Sequence, residues 1–114
     1  MTYEMNLNSR PFDLIKSGQK TIELRLNDEK RKNIVAGDYI RFTSSHGDTM
    51  LCIVKAVHNF PTFEELYKKL PLDKCGYTAE EIPTASHTDM EEYYPVERQI
   101  QTSVLGIEIA LVEQ

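Results

Sequence analysis

A chain of 114 residues, 40% hydrophobic and 27% charged, is long enough for one domain around a single core without staples. Its net charge of −5 argues against a protein that coats nucleic acid nonspecifically, because that mode needs a large basic excess. No apolar run reaches the ~20 residues of a membrane span. The two cysteines, Cys52 and Cys75, are too few for a disulfide framework and have no partner at metal-ligand spacing.

The first residues, "MTYEMNLNSRPF", lack the basic start and apolar stretch of a signal peptide, so the cytoplasm is the expected compartment. The charge is uneven. Residues 1–57 carry nine Lys and Arg against seven Asp and Glu, whereas residues 58–114 carry four against eleven. A basic patch can survive on the first half while the second repels polyanions. Nucleic-acid contact is therefore expected to be local, to one or a few nucleotides.

In chain order, "YEMNLN" alternates Tyr3, Met5 and Leu7 with polar residues and predicts a short strand. Ser9 is placed to cap a helix, with Pro11 in its first turn, an apolar stripe of Phe12, Leu14 and Ile15, and Gly18 at its end. "KTIELRL" then alternates, with Ile22, Leu24 and Leu26 on one face and Thr21, Glu23 and Arg25 on the other. "NDEKRKNI" predicts one helical turn capped by Asn27, and "AGDYIRF" a strand that follows a Gly37-Asp38 turn.

"SSHGDT" is a hairpin turn, and the nearly apolar "MLCIVKAVHNF" predicts a central or barrel-closing strand with Cys52 as a small buried hydrophobe. "PTFEELYKKL" reads as a helix with Phe63, Leu66 and Leu70 turned inward. The stretch from Pro71 to Gln101 mixes turn residues, short helical pieces and acids, so an irregular or mobile segment is expected there. "TSVLGIEIALV" supplies the closing strand. Five or six strands with two or three small helices add up to one domain over 1–114, mostly β (α+β), built as a small, mostly antiparallel barrel. Its expected core includes Ile22, Leu24, Ile40, Phe42, Ile53, Val104 and Ile107.

The spacing Gly18-x-Lys20-x-x-Glu23-x-Arg25 has two readings from first principles. Glu23 and Arg25 share a strand face, so they could be a structural ion pair on a solvated surface. The same groups could read a nucleobase, with the carboxylate accepting from amino or imino groups and the cations donating to carbonyls or phosphate. Tyr94 fits either core packing or an aromatic wall for a stacked base. A solvated pair contributes only ~0–1 kcal/mol, so Glu23→Gln is expected to weaken ligand binding and leave stability little changed.

The stretch "PFDLIKSGQKTIELRLNDEKRKNIVAGDYIRF" closely resembles the front half of ASCH domains, a branch of the PUA-like β-barrels. Their hallmark is a Gly-x-Lys-x-x-Glu-x-Arg stretch. "FPTFEELYKKLP" and "YYPVERQIQTSVLGIEI" are similar to the back half, so the resemblance, to a stand-alone bacterial type, covers nearly the whole chain. It implies a barrel with a cleft lined by the motif residues and a role in binding RNA, a nucleoside or a nucleotide. The expected ligand-binding set is Gly18, Lys20, Thr21, Glu23, Arg25 and Tyr94.

Some small bacterial ASCH proteins that this chain resembles are amidohydrolases of N4-acetylcytidine. They use a lysine, a threonine three positions later and a distal glutamate. Lys20 matches the lysine, but the threonine position falls on Glu23. A general-base lysine must shed its proton near neutral pH, and a neighbouring carboxylate works against that. Binding is therefore the favoured reading, with a small amidohydrolase centred on Lys20 as the alternative.

No His, Asp or Glu grouping has metal-ligand spacing, and no phosphate-cradling glycine loop is present, so neither a metal nor a cofactor is expected. His46 and His87 are read as loop residues and His58, at the end of a strand, as packed or hydrogen-bonded. "NDEKRK" and the first helix start near Ser9 and Arg10 are secondary candidates for anion contact.

Overall fold

The computed structural model describes residues 1–112. Five strands form one curled sheet in the order β1-β3-β4-β5-β2, with β1 at Thr2–Leu7, β2 at Ile22–Leu26, β3 at Tyr39–Ser44, β4 at Thr49–Phe60 and β5 at Val104–Leu111. Helix α1 (Ser9–Ser17) follows β1, α2 (Phe63–Lys69) follows β4, and α3 (Val96–Thr102) leads into β5. The result is a half-barrel with α1 packed on its concave side and α2 on its outside.

The β3–β4, β4–β5 and β5–β2 pairs are antiparallel, and β1–β3 is parallel. That parallel pair follows from connectivity. A parallel connection needs a crossover of a dozen or more residues, and α1 with β2 provides it. The seam lies between β1 and β2, the two ends of the strand order. A side chain spans it: Arg25 Nη2 donates to the Asn6 carbonyl at 2.8 Å.

The concave side of the sheet holds a core of Met5, Leu7, Ile40, Phe42, Met50, Cys52, Val54, Leu105, Ile107 and Ile109, closed by Phe12 and Ile15 of α1. On the outer side of β2, Ile22, Leu24 and Leu26 pack with Phe63 and Leu66 of α2 and with Cys75 and Val104. β2 is therefore covered on both faces, and this places the functional side chains.

Ile53 is only partly buried. It faces the other way from fully buried Cys52 and nearly fully buried Val54. β4 is apolar on both faces, so alternation could not choose between them, and a bulge between Val54 and Ala56 resets the register. Asn8, rather than Ser9, is the residue before α1, and Ser9 Oγ meets Ser45 Oγ instead. "NDEKRKNI" makes a single turn in which the Lys32 amide donates to the Asp28 carbonyl at 2.9 Å, and the Asn27 side-chain amide, expected as its cap, donates to Ser103 Oγ at 3.1 Å instead. Residues 71–95 wind through three 3₁₀ turns at Leu72–Lys74, Ile82–Thr84 and His87–Glu92, the last with a Ser86–Asp89 capping box.

Gln99 joins α3 to α2. It is 2% exposed, its Oε1 accepts from the Phe63 amide at 3.0 Å and its Nε2 donates to the Tyr94 carbonyl at 2.9 Å. It thereby caps α2 from outside that helix. Gln99→Leu should lower stability by about 2 kcal/mol, because the buried Phe63 amide and the partly buried Tyr94 carbonyl lose their partners. Urea unfolding with an unchanged m value would check this, and a midpoint equal to the natural protein's would refute it.

Candidate functional site

Alternation on β2 sends Glu23 to the face opposite Ile22 and Leu24. In the antiparallel register Glu23 lies across from Ile107, which is fully buried. Residues opposite one another share a face, so Glu23 points into the curl of the sheet and is 2% exposed. A carboxylate there must be paired. Lys20 Nζ lies 2.8 Å from Oε1, and Arg25 Nε donates to Oε2 at 2.7 Å.

The two cationic side chains are themselves only 11% and 12% exposed. Burial works to raise the Glu23 pKa, but Lys20 and then Arg25 outweigh it and hold the carboxyl below its usual value. Burial likewise opposes the charge on Arg25, yet the Glu23 carboxylate, with Tyr94 adding to it, leaves the guanidinium raised.

The cluster carries one net positive charge at the wall of a cleft of about 650 Å³. That volume is in the range of small-molecule sites. Gly76 closes over Lys20: its φ is +110°, and an added Cβ would lie 3.3 Å from Lys20 Cδ. Tyr67, Tyr77, Tyr93 and Tyr94 also line the cleft. Tyr94 also packs against Phe63, with ring centroids 6.0 Å apart and planes at 25°, so it serves core and cleft together.

Arg10 Nη2 meets Glu81 Oε1 at 2.7 Å and ties the start of α1 to the wrapping segment. The hydrogen bond from Arg10, helped by the Thr78 amide, lowers Glu81 to about 2. The Arg10 guanidinium is therefore engaged by a carboxylate. Asp28 and Glu29 pair likewise with Arg31 and Lys32 of the "NDEKRK" turn, and these residues do not line the cleft.

Lys20, Glu23, Arg25 and Tyr94 are brought together; Gly18 and Thr21 are not. Gly18 ends α1 at φ +87°, where its amide donates to the Ile15 carbonyl. The Thr21 amide donates to the Lys74 carbonyl at 2.9 Å, and its carbonyl accepts from the Ile109 amide at 2.9 Å. Both residues line a second recess of about 290 Å³ with Ile109 and Leu111, on the other side of Lys20, which lines both spaces. Glycine is at position 18 to end the helix, and Thr21 contributes chiefly backbone.

Sequence reasoning missed Tyr67, Tyr77, Asp89, Gly76 and Cys75. Only the turn at Cys75-Gly76 carried a local signal. Burial pushes the Cys75 thiol up to about 11, which makes it a poor nucleophile at neutral pH. His58 pairs with Glu108 away from the cleft lining. Among the described residues no group of three or more His, Cys, Asp or Glu is placed to hold a metal, and no helix is long and apolar enough to cross a membrane.

The family model of the ASCH domain matches residues 5–111. The crystal structure of hypothetical protein PH0355 superposes with a TM-score of 0.82 at 32% identity, covering 98% of this chain and 100% of that one. The solution structure of protein PF0455 from Pyrococcus furiosus gives 0.71 at 31% identity, with each chain fully covered. An ASCH domain from Lactobacillus crispatus shares the fold, with a TM-score of 0.60 at 11% identity over 96% of this chain and 79% of that one. No curated protein matches.

Proposed function

This chain belongs to the ASCH domain family, and from that premise we propose that it binds a nucleoside, free or as a single exposed nucleotide of RNA, in the cleft beside Lys20, Glu23 and Arg25. The buried ion cluster carries the proposal. Lys20 and Arg25 each keep N–H bonds beyond those given to Glu23, so the cluster presents donors to carbonyl oxygens of a base. Four tyrosines around it offer faces and edges for stacking.

Charge narrows the ligand. The cleft lining holds Arg10, Lys20 and Arg25 against Glu23, Glu81, Asp89 and Glu92, three cations against four anions. Such a lining suits a neutral base with at most one phosphate, and it disfavours a long polyanion. Binding outranks amide hydrolysis for a geometric reason. Lys20 is met ion-paired at 2.8 Å to a carboxylate, a donor rather than a proton acceptor. Position 23 carries no hydroxyl, and attack by its carboxylate on an amide would form a mixed anhydride, a costly intermediate without strong oxyanion support.

Calorimetric titration with nucleosides and with short single-stranded RNA tests the proposal. At least one nucleoside should bind, and Lys20→Ala should weaken it about tenfold or more, as loss of a charge-assisted hydrogen bond requires. RNA affinity should fall with salt by a slope of about 2 or less, equivalent to no more than about three phosphates at ~0.7 each. A slope implying six contacts, with no nucleoside binding, would overturn the reading.

A further inference from the structure

Tyr67, Tyr77 and Asp89 line the same cleft and are joined by hydrogen bonds. The Tyr77 hydroxyl donates to Asp89 Oδ2 at 2.8 Å. A phenol owns one proton. Tyr77 must therefore accept in its second contact, the 2.7 Å approach of the Tyr67 hydroxyl. Tyr67 donates there, and its only proton is committed. The chain runs in one direction, from Tyr67 through Tyr77 to the carboxylate.

The anchor is fixed by its own turn. Asp89 Oδ2 also accepts from the Ser86 amide at 3.2 Å, within the capping box of the third 3₁₀ turn. The Tyr67 and Tyr77 rings meet edge to face, with centroids 6.0 Å apart and planes at 77°, which holds the hydroxyls in register. Burial pushes the Tyr67 hydroxyl up to about 12, so Tyr67 keeps its proton across the neutral range. What Tyr67 can offer a ligand is an oxygen lone pair alone.

We propose that Tyr67 is a specificity-determining residue of the cleft, an obligate acceptor that selects nucleosides whose base bears an exocyclic amino group. The proposal rests on the nucleoside reading of the cleft. Lys20 and Arg25 supply donors for a base's carbonyl or ring nitrogen, and Tyr67 supplies the complementary acceptor. A base that presents a carbonyl to Tyr67 sets lone pair against lone pair. A base with only hydrogen there leaves the acceptor unpaired. Tyr77 and Asp89 act through Tyr67 as positioning residues.

The test compares matched nucleosides on the full chain by calorimetry. Cytidine is paired with pyrimidin-2-one riboside, and adenosine with purine riboside, so that each pair differs only by the amino group; uridine presents a carbonyl. In one pair the amino member should bind about tenfold more tightly or better, because a committed acceptor is otherwise left without a partner. Tyr67→Phe should bring that ratio to within about twofold by weakening only the amino member. Tyr77→Phe frees the Tyr67 proton and should raise uridine affinity while the fold is kept. Equal binding within both pairs, or a ratio unchanged in Tyr67→Phe, would overturn the role of Tyr67 and leave the nucleoside site standing. No binding by any of the five overturns the nucleoside site and this inference with it.

Discussion

Glu23→Gln is expected to lower folding stability by about 3 kcal/mol, the lower end of the cost of breaking a buried ion pair. The small change expected for a solvated strand face does not apply, because Glu23 is 2% exposed and faces the inside of the sheet. The amide would remove the charge that balances Lys20 and Arg25, whose side chains are only 11% and 12% exposed. Lys20 is long enough to move toward the cleft and water, which is why the lower end is expected.

The effect has a signed pH dependence. The folded-state pKa of Glu23 is lowered relative to the unfolded value. Its stabilisation is therefore fully present above the unfolded carboxyl range, near ~4.3, and is lost as pH falls through the folded value. The stability gap between the natural protein and Glu23→Gln should close on acidification, since a protonated glutamate is a near match for glutamine. Urea unfolding of both proteins between neutral and acid pH measures it. A gap that stays constant would show that something other than the carboxylate charge separates them.

The motif was legible as a group and misread in its setting. Alternation over "KTIELRL" correctly put Glu23 and Arg25 opposite Ile22 and Leu24, and spacing brought Lys20 to the same acid. A polar face is normally a wet face, however, and nothing local says that a strand is covered on both sides. β2 is covered because α2 packs on its outside while its inside looks into the curl next to the seam. Placing Ile53 in the core failed for the mirror-image reason, since both faces of β4 are apolar, whereas Cys52 is buried as expected. The tyrosine chain was beyond local reasoning. Tyr77 and Asp89 come from a segment without periodicity, and they meet Tyr67 only once that segment wraps over the cleft. Gly18 shows the opposite hazard: a motif position whose work is to end a helix at positive φ.

A destabilised Glu23→Gln does not by itself separate a structural cluster from a ligand site, because burial makes the loss expected under both. The combined replacement Lys20→Met, Glu23→Leu and Arg25→Met does separate them. Taking three charged groups out of water is costly, and well-packed apolar residues of similar volume are often neutral or better by about 1–4 kcal/mol. Lys20 and Arg25 both contact Glu23, so the effects will not add, and the triple variant should be more stable than Glu23→Gln. It removes the Arg25 bond to the Asn6 carbonyl across the seam. Asn6 is exposed, so water can take that carbonyl. Stability within about 2 kcal/mol of the natural protein is expected, together with nucleoside affinity reduced more than about a hundredfold, as loss of the charge-assisted donors requires. That pair of results would mean the fold does not need the charges and the cleft does. A triple variant that unfolds as readily as Glu23→Gln would instead assign the cluster to closing the seam between β1 and β2.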